Sequence, residues 1–367
     1  MVKYAFKDVL IFISNISGIT LPNQSLSYLS LIFQRPTNTY SASKKKIYIL
    51  NIPKMSSSDE SQDRYKESSL DEIHKRSEIL AKEKVILELF SLFVETPGFY
   101  LKYRNRKLDE MIVVKLLEHL DTKDVDDRIV LHALLRRIYI KLFDLRSFMQ
   151  TQFNNVFYRF IFETNDLHCI AELLEIYKDI IKAYTPPLDT EQEQVLFRIL
   201  LPLHKPQSMP EYFPQLIYCI ITFLDTNPSL IERYVIGLLK LWPKTSFDKE
   251  TLFLNELASI LVIRDEQEVE KVLVPVFKQI AKCLSSKSSK ITEYTIQLWE
   301  DTEISELMRR NNEVIMPIVF PSLFRLKRLH LGERMQKLIC IALQMLLRMN
   351  RKLFISLTAE YIRAEEN

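Results

Sequence analysis

From about Ser69 onward, apolar side chains recur every three or four positions, and almost no stretch alternates apolar with polar residues. The first spacing lays apolar groups along one stripe of an α-helix, whereas alternation would mark a strand, so the pattern predicts an all-α chain. Ser69-Leu70-Asp71-Glu72 reads as a capping box opening a helix that carries Ile73, Leu80, Ile86 and Phe90, and Thr96-Pro97-Gly98 stops it. Further helices are predicted over 111–120, 126–143, 148–162, 170–184, 191–203 and 211–224. The links between them are a few residues long and use Pro, Asp, Asn, Thr and Ser, which makes consecutive helices antiparallel hairpins.

A longer period overlies the helical one. Apolar helices close in a basic or polar turn near Lys205, Lys244 and Ser285, steps of 39 and 41 residues, and another closes near Leu329, 44 further on. Two helices per roughly 40 residues is the spacing of HEAT and armadillo repeats. A lone amphipathic hairpin cannot cover its own apolar face, so such units stack. The expected architecture is therefore an all-α, HEAT-like helical-repeat solenoid, an α–α superhelix, over residues 69–367. Residues 1–68 are richer in Ser, Asn and Thr and include the polar run 55–64. They are expected to form a poorly defined N-terminal segment, partly disordered, with 41–68 as linker and one or two weak helices before it.

Composition removes several functions. The four glycines, Gly18, Gly98, Gly237 and Gly332, are far apart, and loops that cradle phosphates or dinucleotides need them clustered. Net charge is only +3. One basic cluster, Arg325, Lys327, Arg328 and Arg334, reads either as a solvated helix end or as a contact for nucleic acid or membrane. Cys169, Cys219, Cys283 and Cys340 stand at least 50 residues apart in apolar helical contexts, and all four are expected to be buried free thiols. The apolar run 9–13 is too short to span a bilayer, and no cleavage pattern follows it, so a cytoplasmic or nuclear location is expected.

Catalytic chemistry is hard to find. None of the six histidines has a histidine or cysteine at metal-ligand spacing, and there is neither a nucleophile elbow nor a His-Glu-x-x-His pair. Carboxylate pairs such as Asp126 and Asp127 sit at helix starts, where they complement the dipole. No catalytic residue, metal or cofactor is expected. What remains is surface. Arg137 and Tyr139 read as lying off the main apolar stripe of their helix, and Arg146 begins the next turn of chain. A planar guanidinium beside an aromatic ring suits capture of an extended peptide. Equally, Arg137 and Arg146 would pair with local acids such as Asp144 or Glu163, and the residues alone leave both readings open.

Several blocks then carry a family resemblance. Leu-Arg-Ser-Phe-Met-Gln-Thr-Gln-Phe-Asn-Asn-Val-Phe-Tyr-Arg-Phe-Ile-Phe-Glu-Thr (145–164), Ile-Ala-Glu-Leu-Leu-Glu-Ile (170–176) and Ile-Leu-Leu-Pro-Leu-His-Lys (199–205) resemble a B-prime-type regulatory subunit of protein phosphatase 2A. So do Leu-Leu-Lys-Leu-Trp-Pro-Lys-Thr (238–245), Phe-Leu-Asn-Glu-Leu (253–257) and Ile-Met-Pro-Ile-Val-Phe-Pro-Ser-Leu-Phe-Arg (315–325), all in order from about Leu80 to Phe354. The resemblance implies a HEAT-like solenoid without catalytic activity. Such a subunit joins a scaffold subunit and a catalytic subunit and recruits substrates through a concave groove that holds peptides of the pattern Leu-x-x-Ile-x-Glu. It implies that Arg137, Tyr139 and Arg146 hold the peptide, while Ile176 and Ile180 floor the pocket for its isoleucine.

This chain departs from that pattern. Arg136 stands where the family has a histidine before the groove arginine. Asp189 and Gln192 replace the lysine and histidine that meet the peptide's glutamate. An aspartate facing a glutamate repels it, so the acidic preference is expected to weaken or change. The acidic stretch ahead of the first helix corresponds to Asp59–Glu72 and is interrupted by Arg64 and Lys66, and Leu80 replaces a family tryptophan. Glu163 and Asp166 are the candidate contacts to the phosphatase holoenzyme. An adaptor of the same fold that has lost the phosphatase is one alternative. A nucleic-acid-binding repeat protein using the Arg325–Arg334 cluster is another, though neither nucleic acid nor membrane is the expected partner.

Overall fold

A computed structural model describes residues 106–366, apart from 165, 244, 264, 330 and 331. The N-terminal segment 1–68, the Ser69 capping box and the helix that follows it lie outside the described residues. Among the described residues every regular element is a helix. The chain divides into two compact units, residues 1–152 and 153–367.

In the first unit, α1 (Arg106–Leu120) packs against α2 (Val125–Lys141). Asp124 starts α2: its carboxylate accepts hydrogen bonds from the Asp126 and Asp127 amides at 2.9 and 3.3 Å, satisfying donors that the first turn leaves unpaired. The buried residues of the pair include Val113 and Leu116 of α1 and Leu131, Leu134, Leu135 and Ile138 of α2. A 3-10 turn at Phe143–Leu145 leads into α3 (Arg146–Arg159), whose last turn widens to π-type over Phe160–Thr164.

The second unit continues with α4 (Ile170–Lys182) and α5 (Thr190–Val195), which runs into a π-type turn at Leu196–Leu200 and a 3-10 turn at Pro202–His204. Then come α6 (Met209–Thr226), α7 (Ile231–Lys240), α8 (Phe247–Leu261) and α9 (Glu266–Leu284). The chain goes on through α10 (Ser289–Gln297), α11 (Thr302–Arg310), α12 (Asn312–Arg328), α13 (Glu333–Met349) and α14 (Arg351–Glu366). The predicted boundaries fall within a few residues of these. The largest differences are α1, which begins five residues earlier than residue 111, and the helix predicted over 191–203, which breaks at Pro202, where the ring denies the chain an amide donor.

Two sets of helices stack in this unit. One runs α4, α6, α8, α10 and α13, each packed on the next, with starts roughly 40 residues apart. The other runs α7, α9, α12 and α14. Members of the two sets pack across, as in α8 on α9 and α12 on α13, so each apolar helix face is covered by neighbours on the repeat period. Large side chains fill the space between, among them Phe223, Tyr234, Phe253, Phe277, Trp299 and Phe320, each fully buried. This is a two-layer helical-repeat fold. Of the four cysteines, Cys169, Cys219 and Cys283 are buried as expected, but Cys340 is exposed. It stands one residue after Ile339, which is buried, and 100° of helical rotation carries it off the core face of α13.

Candidate functional site

The residues expected to hold a peptide fall in both units, and each group has its own local geometry. In the first unit Arg136 is exposed and Arg137 half-buried on α2. Tyr139 does not lie off the apolar stripe: it is buried, because position 139 follows Leu135 by four residues and so shares its face. Its hydroxyl receives a hydrogen bond from Gln150 Nε2 at 2.7 Å, and burial, which outweighs that bond and the nearby Arg146 charge, raises its pKa.

Arg146 pairs with backbone rather than with an acid. Its Nε donates to the Tyr139 carbonyl and its second guanidinium nitrogen to the Ile140 carbonyl, both at 2.9 Å. These are carbonyls of the last turn of α2, which have no partner within the helix. The same guanidinium lies 4.0 Å from the centroid of the exposed Phe143 ring and 5.2 Å from that of Tyr139. The side chain thus caps one helix and is sandwiched by two rings, which the Arg146 and Tyr139 spacing alone did not reveal.

In the second unit Ile176 and Ile180 share one face of α4, four residues apart, and both are closed to solvent at 0% and 1% exposure. An apolar ligand side chain would reach them only by displacing what covers them. Asp189 and Gln192 form a reciprocal capping box at the start of α5. The Asp189 carboxylate accepts the Gln192 amide at 2.7 Å, and the Gln192 side chain accepts the Asp189 amide at 3.1 Å. Both residue types that depart from the resemblance therefore have a local reason to be here. Glu163, on the π-type turn, and Asp166 are exposed. The basic cluster is partly spent: Arg334 makes an ion pair with Glu293, while Arg325 and Lys327 stand exposed in the last turn of α12, where cations meet the negative end of the helix dipole favourably.

A buried polar network lies where the sequence predicted none. His204, treated as an ordinary isolated histidine, is 1% exposed, and its Nε2 is 2.8 Å from Oε2 of Glu256, which is 0% exposed. Tyr234 donates its hydroxyl hydrogen to the other Glu256 oxygen at 2.6 Å. His204 Nδ1 faces the Leu201 carbonyl at 2.9 Å. Both ring nitrogens thus meet acceptors, which an imidazolium with two N–H donors satisfies. Burial alone depresses the His204 pKa. The Glu256 charge and hydrogen bond, with the Leu201 carbonyl, outweigh it and the repulsion of Lys249, so the value lies above the ordinary 6.5.

Beside this pair, Lys249 is also buried, and its ammonium donates to the carbonyls of His204, Lys205 and Pro206 at 2.8, 3.1 and 3.1 Å. All three donors of a lysine are used, and burial lowers its pKa. Trp242 Nε1 donates to Glu250 at 3.0 Å, and Phe253 packs edge-on against both His204 and Trp242. Nearby, burial pushes the Cys283 thiol up to about 12, so it stays a protonated thiol. The network joins the turn after α5 to α7 and α8. Its members come from the blocks at 199–205, 238–245 and 253–257, or stand close to them. A visible signal existed: Glu256 occupies a position within the apolar set Phe253, Leu254, Leu257 and Ile260 of α8, where a charge requires buried partners.

The arrangement binds and braces; it offers no open nucleophile, and among the described residues no group of three metal-ligating side chains is gathered. No helix among them is long and apolar enough to cross a membrane.

Compared with known proteins, residues 49–367 match the profile of the protein phosphatase 2A regulatory B subunit (B56 family). The chain is 41% identical over 278 residues to the human serine/threonine-protein phosphatase 2A 56 kDa regulatory subunit delta isoform, covering 76% of this chain and 46% of that protein. To the mouse alpha isoform it is 38% identical over 278 residues, covering 76% and 57%. To the regulatory subunit pptr-1 of Caenorhabditis elegans it is 37% identical, covering 76% and 51%. The chain thus spans about half the length of the curated relatives it matches. Among solved structures, a designed armadillo repeat protein in complex with the peptide (KR)4 aligns over 64% of this chain and 99% of its own, at 16% identity and a TM-score of 0.32.

Proposed function

The chain belongs to the B56 family of protein phosphatase 2A regulatory B subunits, and from that premise we propose that it is a non-catalytic regulatory subunit. In this reading it joins the scaffold and catalytic subunits of the phosphatase and directs Ser/Thr dephosphorylation by recruiting substrates. The observation that carries the proposal is the length of the match: 319 consecutive positions, 49–367, fit one family profile. In this reading the catalytic subunit supplies the chemistry and this chain acts by binding.

Recruitment through a peptide groove belongs to the same proposal. Arg136, exposed on α2, and the half-buried Arg137 beside it are proposed to meet the peptide, while Arg146 and Tyr139 would support them by holding the end of α2. Asp189 brings a carboxylate to the start of α5, where the family pattern has a lysine, and this supports a weakened demand for a terminal glutamate. Glu163 and Asp166 are proposed contacts to the phosphatase core.

A competition experiment tests the regulatory reading. Immobilised scaffold–catalytic heterodimer should retain the chain, and purified delta isoform should displace it, because the two would occupy one position. Retention that the delta isoform does not reduce would contradict the proposal and favour a helical-repeat adaptor with a different partner.

A further inference from the structure

Three stacked helices repeat one surface pattern, and a fourth carries its outward position. In α7, Tyr234, Val235 and Leu238 are buried; Val272, Leu273 and Val276 of α9 and Ile315, Met316 and Val319 of α12 show the same spacing of buried positions. The residue after the second of each trio points outward: Ile236 is 40% exposed, Val274 39%, and Pro317 is also exposed. Ile355 holds the matching position on α14, at 56%. Since α7 packs on α9, α9 on α12 and α12 on α14, equivalent positions on consecutive repeats would bring these side chains into one apolar row.

Cations flank the row. Four residues beyond it stand Lys240 and Lys278, and three before it stand Arg233, Lys271 and Lys352. Lys240, Lys278 and Lys352 are exposed and make no hydrogen bond or ion pair among the described residues. Arg233 stacks on Phe197 at 3.9 Å, and Lys271 is paired with Glu268. Glu232, Glu270 and Glu313 also lie one turn before the row, so with Arg351 counted the cations outnumber the acids by two to one.

We propose that this face of α7, α9, α12 and α14 docks an extended acidic segment of another polypeptide, its apolar side chains on Ile236, Val274, Pro317 and Ile355 and its carboxylates on the flanking lysines. Spacing supports an extended occupant. Packed helices lie about 8–10 Å apart, and a polyproline-II segment advances about 3.1 Å per residue with three residues per turn, so every third side chain faces the same side and meets one helix. A single apolar side chain per helix is too narrow a strip for the core of a globular interface, whereas it suits a polyproline-II segment that presents one side chain per turn to it. The unpaired lysines set the sign of the ligand's charge. The row shares no residue with the proposed groove, and its test uses the chain alone.

The test is a fluorescence-anisotropy titration of the full chain with three labelled 12-residue peptides. One has leucine at every third position and glutamate elsewhere. The second replaces glutamate with lysine, and the third keeps the first composition but gathers the leucines at one end. The first peptide should bind saturably and at least tenfold more tightly than either of the others. Ile236→Asp with Val274→Asp, and separately Lys240→Glu with Lys278→Glu, should each weaken it at least tenfold. Their exposed positions leave the fold intact, which far-UV circular dichroism checks. Equal affinity for the first and third peptides, or unchanged affinity in both variants, would overturn the proposal. So would light scattering that reveals a dimer dissolved by Ile236→Asp, since the row would then belong to a second copy.

Discussion

His204 and Glu256 are 52 positions apart in sequence, yet their side chains meet at 2.8 Å with neither exposed to solvent. The contact ties the turn that follows α5 to the middle of α8, one repeat further on. A carboxylate in that position is tolerable because Tyr234 and His204 occupy both of its oxygens. Removing one partner leaves the other charged and buried, which is the costly case.

Glu256→Ala is therefore expected to destabilise the chain by about 3–5 kcal/mol. Glu256→Gln, which keeps the shape and loses the charge, should cost less, about 2 kcal/mol. Urea denaturation followed by circular dichroism measures both, and equal costs for the two variants would contradict a charge-assisted pair.

The same pair sets a pH dependence. Because the folded-state pKa of His204 lies above 6.5, its contribution is complete below that value and is lost as pH rises through the raised one. The wild-type unfolding midpoint should fall as pH is increased from 6 through the alkaline side of neutrality. Glu256→Gln should show a shallower fall. Lys249, whose pKa burial lowers, acts with the opposite sign at still higher pH, so the difference between the two proteins is the quantity to read.

Asp189 makes two separable predictions at one position. Asp189→Ala removes the cap of α5 and should cost about 1 kcal/mol of stability. Asp189→Lys removes the same cap but introduces a cation, and in the groove reading it should strengthen binding of a Leu-x-x-Ile-x-Glu peptide that Asp189→Ala improves less. Peptide titration of the three proteins checks this, and identical affinities would remove Asp189 from the groove.

Gly237 lies against the turn after α5. A Cβ there would come 2.6 Å from Leu201 Cδ2, the free end of a flexible side chain. Gly237→Ala should stay within about 1 kcal/mol of wild type, because the methyl can move aside and alanine favours the helix. Gly237→Val should cost about 1–3 kcal/mol through overpacking. Comparison of urea midpoints separates the two.

The helices and their period were legible because each obeys a local rule: apolar residues at helical spacing, a cap, a short polar link. Cys340 and Tyr139 were misplaced for one reason, that a residue's side of the helix depends on its rotation from neighbours and not on local hydrophobicity. The capping box at Asp189 and Gln192 is readable from its spacing, an aspartate followed three positions later by glutamine. What the sequence could not convey was long-range pairing. His204, Tyr234, Lys249 and Glu256 look unrelated until the repeats stack, and the row through Ile236, Val274, Pro317 and Ile355 exists only once four helices lie side by side.

The regulatory-subunit reading is tested most directly by mixing the full chain with purified phosphatase scaffold–catalytic heterodimer and measuring mass by size-exclusion chromatography with light scattering. The account predicts a single species whose mass equals one copy of each of the three chains, stable through the column at micromolar concentration. Separate elution of the heterodimer and the 43.5 kDa chain would contradict it.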